Sequence, residues 1–543
     1  MPTITIKRKE LDKLLGKKYP ASFLKDRISM LGTDLEKLDN EEIIVEVFPN
    51  RPDMLSAQGL ARALKSFISL EKGLKEYKVK DSKEHVYVEK SVKDIRPYTA
   101  CAVVKGIHFD DEKIREIIQI QEKLHVTYGR NRRKVAIGIY PYEKIKPPIY
   151  FRALPPEKIK FRPLEADREM TALEILQYHP TGREYAHLLE GKKKFPIFVD
   201  SQGKILSMPP IINSHDTGKV TEQTRDVFIE CSGFDFEVLK KCLNIIVTSL
   251  ADMQGEIYAM TLHYGNKTYR TPDLKPEKMK INRNYINKIL GLNLNEKQLK
   301  DCLERMGYAY KNGTVLIPAY RTDILHQIDL AEDVAIAYGY ENFKPELPEI
   351  ATIASDDVMY NFERKIAEIL IGLGLQEVST YHLVSENTNE KMNLNQQLVK
   401  LENSKSEEHC CLRSWLVPNL LSVLEVNKTN DYPQNIFEIG TVFKKDLTEI
   451  RRLAAVTCHS KANFTEIKQI FESLLRSLDL SYEIRETEHG SFIPGRVGRI
   501  SVKGKDVAYI GEIHPAVLEN YSLEMPVAAF ELNLTEIFKL LKQ

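Results

Sequence analysis

Apolar residues recur along this chain in two rhythms, a period of two and a period between three and four. These rhythms divide it into four segments. In residues 1–85, alternation at Ile4-Thr5-Ile6 and around 43–47 predicts strands, and the turn-forming Pro49-Asn50-Arg51-Pro52-Asp53 leads into a helix over 57–70. This segment reads as a scaffold, and the charged stretch 71–84 reads as its linker. Residues 86–265 alternate β-rich runs, Ala102-Val103-Val104 and 195–199, with helices over 111–124 and 181–189, which predicts an α+β domain. In 266–345 the pattern predicts helices over 283–290 and 295–306, a strand at 314–317 and an acid-bearing helix. Residues 355–543 carry predicted helices over 362–373, 416–426 and 463–478, with strands near 436–437, 454–456, 498–502 and 527–532. The fold class is multidomain α+β.

The acid-bearing helix is the first candidate site. Asp323, Asp329, Glu332 and Asp333 lie within 317–343, and the last three fall three or four residues apart. On a helix they share one sector, while Ile324, Ile328, Ala331, Ala335 and Tyr338 follow the core-facing period. Like charges so placed repel by about 0.2–0.5 kcal/mol per pair, and a hard divalent cation with oxygen ligands reverses that sign. Mg²⁺ is the cation expected. The competing reading makes Asp323 the helix N-cap and leaves the others on a solvated face.

At 543 residues the chain is long enough for three to five domains, and 43% hydrophobic with 29% charged residues is an ordinary globular composition. No apolar run approaches the roughly 18 residues of a membrane span, and the start lacks a secretory h-region, so the cytoplasm is the expected compartment. Seven cysteines without a CxxC pair suggest neither a zinc site nor a disulfide framework. The formal net charge is +1, so any nucleic-acid contact must use local patches such as 130–134 (RNRRK) and 192–194 (KKK), although a short basic run is usually a solvated loop. No Walker A, HExxH or GxSxG motif is present.

Several strings together resemble one family. Pro318, Arg321, Thr322, Asp323, Asp329, Leu330, Glu332 and Gly339-Tyr340 are similar to a signature of the phenylalanine–tRNA ligase β subunits, as is FPNRPDMLS at 48–56. The runs 129–138 (GRNRRKVAIG) and 206–214 (LSMPPIINS) resemble the central domain of the archaeal and eukaryotic cytosolic branch, with Pro141 standing where an acidic residue is expected. FEIG at 437–440, IPGR at 493–496 and GEIHP at 511–515 match the C-terminal domain.

The resemblance implies a class II synthetase-like antiparallel sheet at the C-terminus. Neither Gly372-Leu373-Gly374 nor Gly495-Arg496 opens a helix with a phosphate-holding arginine, so that domain is expected to lack aminoacylation chemistry. An α subunit in an α₂β₂ tetramer would bind ATP and phenylalanine and charge tRNA(Phe), with Mg²⁺ at the four carboxylates near the α–β interface. The central domain would proofread. Tyrosine is phenylalanine plus a hydroxyl, and an apolar pocket rejects such an analogue by only about 10². In residues 206–217, Leu206, Ser207, Asn213 and Ser214 are expected to line the hydrolytic pocket, stiffened by Pro209-Pro210. Asp235 is expected to read the tyrosine hydroxyl, with Glu184, Arg183 and His179 nearby. Two alternatives remain at this stage: a purely structural, tRNA-binding subunit with a dead pocket, and a free-standing tRNA deacylase.

Overall fold

The computed structural model describes residues 2–349, 352–395 and 397–542. The chain forms two compact units, Met1–Leu347 and Pro348–Gln543.

In the first unit a three-stranded antiparallel sheet has Glu42–Glu46 between Thr3–Lys7 and Asp34–Leu38. The following helix, Ala57–Phe67, is capped by Ser56, whose Oγ accepts the Gly59 N–H at 3.0 Å. That bond satisfies one of the donors a helix start leaves unpaired.

The stretch expected to be a linker is partly a strand. Val79–Val88 pairs in parallel with both Glu256–Tyr264 and Ile149–Leu154 in the middle of a ten-stranded sheet. Of its residues only Val86 and Val88 are buried, so its alternation is hidden in sequence by polar residues on the open face. The sheet runs Ile212–Asn213, Ile205–Met208, Phe195–Val199, Ile149–Leu154, Val79–Val88, Glu256–Tyr264, Tyr98–Lys105, Val227–Gly233, Val135–Pro141, with Lys267–Thr271 also paired to Glu256–Tyr264. Sheet pairing thus passes residue 265, where the next segment was expected to start. Helices Phe236–Asp252 and Asp111–Val126 bury Leu243, Ile246, Ile117 and Ile120 with Ala102, Val104 and Ile229 on one face. Val86, Val103, Phe151, Phe198 and Phe228 form the core of the other. The predicted helix over 181–189 is a short helix, Pro180–Tyr185, followed by a 3₁₀ turn.

The last part of this unit adds a small sheet, Glu277–Lys280, Thr314–Ile317 and Ala309–Lys311, to helices Arg283–Leu290 and Glu296–Arg305. The acid-bearing helix is Gln327–Tyr338, and its N-cap is His326 rather than Asp323. Leu330, Ala331, Val334 and Ala335 are buried together with Asp333, whereas Ile328 is exposed. Of the expected core-facing stripe, Ile324, Ala331 and Ala335 are buried and Tyr338 packs against the core; Ile328 departs from it, and an internal ion pair draws Asp333 inward beside it.

The second unit is a seven-stranded sheet in the order Gln376–Glu377, Gln434–Phe443, Glu449–Cys458, Val527–Asn533, Lys505–Ile513, Phe492–Val502, Glu483–Glu486. All its pairs are antiparallel except the first. Helices Val358–Gly372, Phe464–Ser477 and Leu534–Leu541 cover one face through Ile366, Phe471 and Ile537. Helices Val417–Asn427 and Pro515–Asn520 cover the other through Leu420, Leu424 and Val517.

Candidate functional site

The two ends of the ten-stranded sheet bring their side chains together. Tyr140, on the last strand Val135–Pro141, reaches Ser207 on the second, Ile205–Met208, with 2.8 Å between the hydroxyls. Gly138 makes this possible, since a Cβ there would lie 2.1 Å from the Tyr140 hydroxyl. Beside this junction is a cavity of about 180 Å³, walled by Ser207, the Pro209-Pro210 turn, Asn213, Glu230, His125 and Arg132. That is smaller than the roughly 300 Å³ at which pockets for drug-sized ligands begin, a size for one side chain rather than a nucleotide.

Glu230 is the most consequential group in the wall. It sits in the buried strand Val227–Gly233 opposite Gly138 and is 2% exposed. Burial pushes its carboxyl up to about 8, against the opposing pull of the buried Arg96 and of the Tyr140 and Ser232 hydroxyls. At neutral pH it is therefore mostly a carboxylic acid, able both to donate and to accept. Its Oε1 is 3.2 Å from the Tyr140 hydroxyl, which also stands 3.3 Å from Asn213 Oδ1. Its Oε2 is buried without a hydrogen-bond partner among the described residues. A buried polar atom left in that state costs free energy, which a hydroxyl-bearing ligand recovers.

Arg132 braces the opposite wall. Residues 130–132 all have left-handed backbone, with φ of 49°, 53° and 62°, a strained turn that carries the Arg132 side chain inward. Its Nη1 donates to the Ile211 carbonyl at 2.7 Å, its Nη2 to Glu122 Oε1 at 3.3 Å, and its guanidinium lies 4.2 Å over the Tyr185 ring. In this basic run at least one residue is therefore a structural part of the cavity. His179 turns its Nε2 to the Leu164 carbonyl at 3.1 Å and leaves a buried Nδ1 in the wall without a partner among the described residues.

Of the expected pocket residues, Ser207 and Asn213 line the cavity. Leu206 is buried behind it in the core, and buried Ser214 donates its backbone N–H to the Leu206 carbonyl at 2.8 Å. Glu184 is exposed on the outside of the short helix that supplies Thr181 to the wall. Asp235 is not in the cavity. It is the exposed N-cap of Phe236–Asp252, accepting the N–H groups of Glu237 at 3.0 Å and Val238 at 3.2 Å. The sequence signal that leads to Glu230 instead is a lone acid inside an otherwise apolar strand, Val227-Phe228-Ile229-Glu230-Cys231.

The acidic cluster is organised around arginine. Arg321 clasps Asp323 with Nε and Nη2, both at 2.8 Å, and the same Nη2 reaches Asp333 at 2.7 Å. Tyr308 also donates to Asp333. Asp329 accepts the N–H groups of Leu325 and His326, each at 2.7 Å, and so holds the helix start. Glu332 is exposed, and burial with the charges of Asp333, Asp329 and Asp323 raises its pKa. Among the described residues no group of three or more His, Cys, Asp or Glu is arranged to hold a metal ion. The four carboxylates thus do not fit Mg²⁺ as a closed shell within this chain, because Arg321 already serves as the counter-cation for two of them.

Comparison with known proteins decides the family. The chain is 42% identical to the phenylalanine–tRNA ligase beta subunit of Thermococcus sibiricus and 41% identical to that of Pyrococcus abyssi, covering 99% of itself in each case and 99% and 100% of those proteins. It belongs to the phenylalanine–tRNA ligase beta subunit family. Within it, residues 1–69 match the Phe-tRNA synthetase beta subunit B1 domain, 108–248 the B3/4 domain, 279–340 the tRNA synthetase B5 domain and 344–534 the phenylalanyl tRNA synthetase beta chain CLM domain. The crystal structure of an N-terminal fragment of the phenylalanyl-tRNA synthetase beta subunit from Pyrococcus horikoshii is similar with a TM-score of 0.60 at 41% identity, covering 62% of this chain and 99% of the fragment. The cavity bounded by Ser207, Glu230 and Arg132 lies largely inside the part that matches the B3/4 domain. Among the described residues no helix is long and apolar enough to cross a membrane.

Proposed function

We propose that this chain is the β subunit of a cytoplasmic phenylalanine–tRNA ligase, working with an α subunit in an α₂β₂ assembly, and that its central cavity hydrolyses tyrosine wrongly attached to tRNA(Phe). In this reading the α subunit holds ATP and phenylalanine, and the C-terminal unit is its synthetase-like counterpart without aminoacylation chemistry. The observation that carries the editing proposal is Glu230 Oε2, a buried acid oxygen without a hydrogen-bond partner among the described residues, on a side chain in the wall of a side-chain-sized cavity. A tyrosyl side chain supplies a phenolic hydroxyl to it. A phenylalanyl side chain leaves it unpaired, and a site built around a substrate hydroxyl rejects the analogue lacking it far more strongly than an apolar pocket rejects an added group.

The aminoacyl ester is already activated, so the chain's task is to position it and to admit water, with no protein nucleophile required. Ser207, Asn213 and the neutral Glu230 orient the ring end, and Arg132 and His179 offer polar groups in the wall. The test is incubation of the purified α–β complex with tyrosyl-tRNA and phenylalanyl-tRNA. Faster release of tyrosine supports editing, and equal, uncatalysed release of both supports a scaffold only.

For Mg²⁺ we propose contact at Glu332, the outward-facing carboxylate of the arginine-held cluster, with further ligands from the α subunit. Crystals of the complex soaked in Mn²⁺ are expected to show an anomalous peak beside Glu332, and Mn²⁺ titrated into this chain alone is expected to find no tight site there. A tight site in the isolated chain contradicts this assignment.

A further inference from the structure

Three buried or nearly buried arginines, Arg51, Arg62 and Arg321, wall a second cavity in the first unit, of about 150 Å³, which shares no lining residue with the cavity at Glu230. A guanidinium presents one edge, Nε with Nη2, that matches a carboxylate or phosphate in a bidentate grip. Arg51 uses this edge on Asp53, with both bonds at 2.9 Å, and Arg321 uses it on Asp323. Arg62 is held differently. Its Nη1 donates to Asp252 at 2.7 Å and to the Tyr77 hydroxyl at 2.9 Å, and its plane lies 4.0 Å over the Tyr320 ring. Its Nε and Nη2 are buried without a hydrogen-bond partner among the described residues, in a side chain that is 7% exposed.

The fixed end of Arg62 therefore holds the unpartnered bidentate edge in one place beside the cavity, so a ligand that meets it costs little further side-chain freedom. The neighbouring acids are already engaged. Asp53 is bound by Arg51, Glu71 by Lys65 at 2.6 Å, and Asp252 is shared by Arg62, Tyr77 and Lys75. Lys72, which also bonds Asp301 at 2.6 Å, and Lys75, both partly exposed, line the cavity on its solvent side. A volume of about 150 Å³ admits a single small ion and is too small for a nucleotide.

We propose that Arg62 is the receptor of a small oxyanion of the phosphate class, gripped at Nε and Nη2 and approached past Lys72 and Lys75. The ion fills the junction between the helix Ala57–Phe67 that carries Arg62, the stretch 71–75 that follows it, and the segment that carries Tyr320 and Arg321. It would tie the three together.

The experiment is calorimetric titration of the full chain with inorganic phosphate at ionic strength held constant with chloride, repeated with acetate and with a short oligoribonucleotide. One saturable phosphate site is expected. Competition by the oligoribonucleotide assigns the site to a backbone phosphodiester, and absence of competition assigns it to the free ion. R62K keeps the charge but loses the planar edge, so at least a tenfold loss of affinity is expected. K72M, on the solvent side of the cavity and away from the packed core, is expected to weaken binding several-fold and supplies the reading if R62K does not fold. No saturable phosphate heat in the natural chain, or unchanged affinity in the folded variants, overturns the proposal.

Discussion

Glu230 concentrates both the chemistry and the cost of the central cavity in one side chain. Its folded pKa of about 8 lies above the ordinary 4.5, so between these values the native chain holds a proton that the unfolded chain has lost. Stability from this group is fully present below about 4.5 and is lost as pH rises through about 8. Thermal unfolding of E230Q, which fixes the neutral shape, is therefore expected to show a shallower fall between pH 5 and 8 than the natural chain. Parallel curves would mean that Glu230 is ionised throughout. This residue was legible in sequence only as an acid out of place in an apolar strand. That Tyr140 reaches it was not legible, because the two strands are neighbours in the sheet but separated by 90 residues in the chain.

At the level of elements, periodicity located strands and helices well where one face is buried and poorly where it is not. The helix Arg283–Leu290 and the strands Thr314–Ile317 and Phe195–Val199 coincide with the expected spans. The strand Val79–Val88 was hidden because most of its length faces away from the core. The acid-bearing helix kept its position and most of its expected face, Ile324, Ala331 and Ala335, but the burial of Asp333 was not legible, since it depends on Arg321, twelve residues away. Asp235 illustrates the same limit, for its position before a helix is as consistent with capping as with substrate reading. As a cap, D235A is expected to lower stability by about 1 kcal/mol and to leave tyrosyl-tRNA hydrolysis unchanged, measured by denaturant unfolding and deacylation rate. A selective loss of hydrolysis at unchanged stability would return Asp235 to the pocket.

Over the whole molecule, the family strings lie in both units, and that spread made the resemblance readable before any contact was known. In the second unit the sheet is covered by helices on both faces, and its arginines are committed to carboxylates. Arg413 meets Glu438 at 2.7 Å, Arg451 grips Glu363 with two bonds of 2.6 Å, and Arg452 meets Glu531 at 2.9 Å. Glu531 in turn accepts the Leu416 and Val417 N–H groups at the start of Val417–Asn427. Of these, only Arg413–Glu438 is buried on both sides, where removing one partner typically costs about 3–5 kcal/mol, while Arg451 and Arg452 are partly exposed and tied to their carboxylates. Phenylalanine-dependent ATP–pyrophosphate exchange is accordingly expected from the α–β complex and not from this chain alone; exchange by the isolated chain would relocate the aminoacylation site.

The most direct measurement compares kcat/KM for tyrosyl-tRNA and phenylalanyl-tRNA hydrolysis in α–β complexes carrying either the natural β chain or E230L. Loss of a hydrogen bond to the buried acid is worth about 1–3 kcal/mol, so the preference for tyrosyl-tRNA should fall by roughly 5- to 150-fold while phenylalanine charging is unchanged. An undiminished preference for tyrosyl-tRNA in E230L would contradict the assignment of this cavity to proofreading.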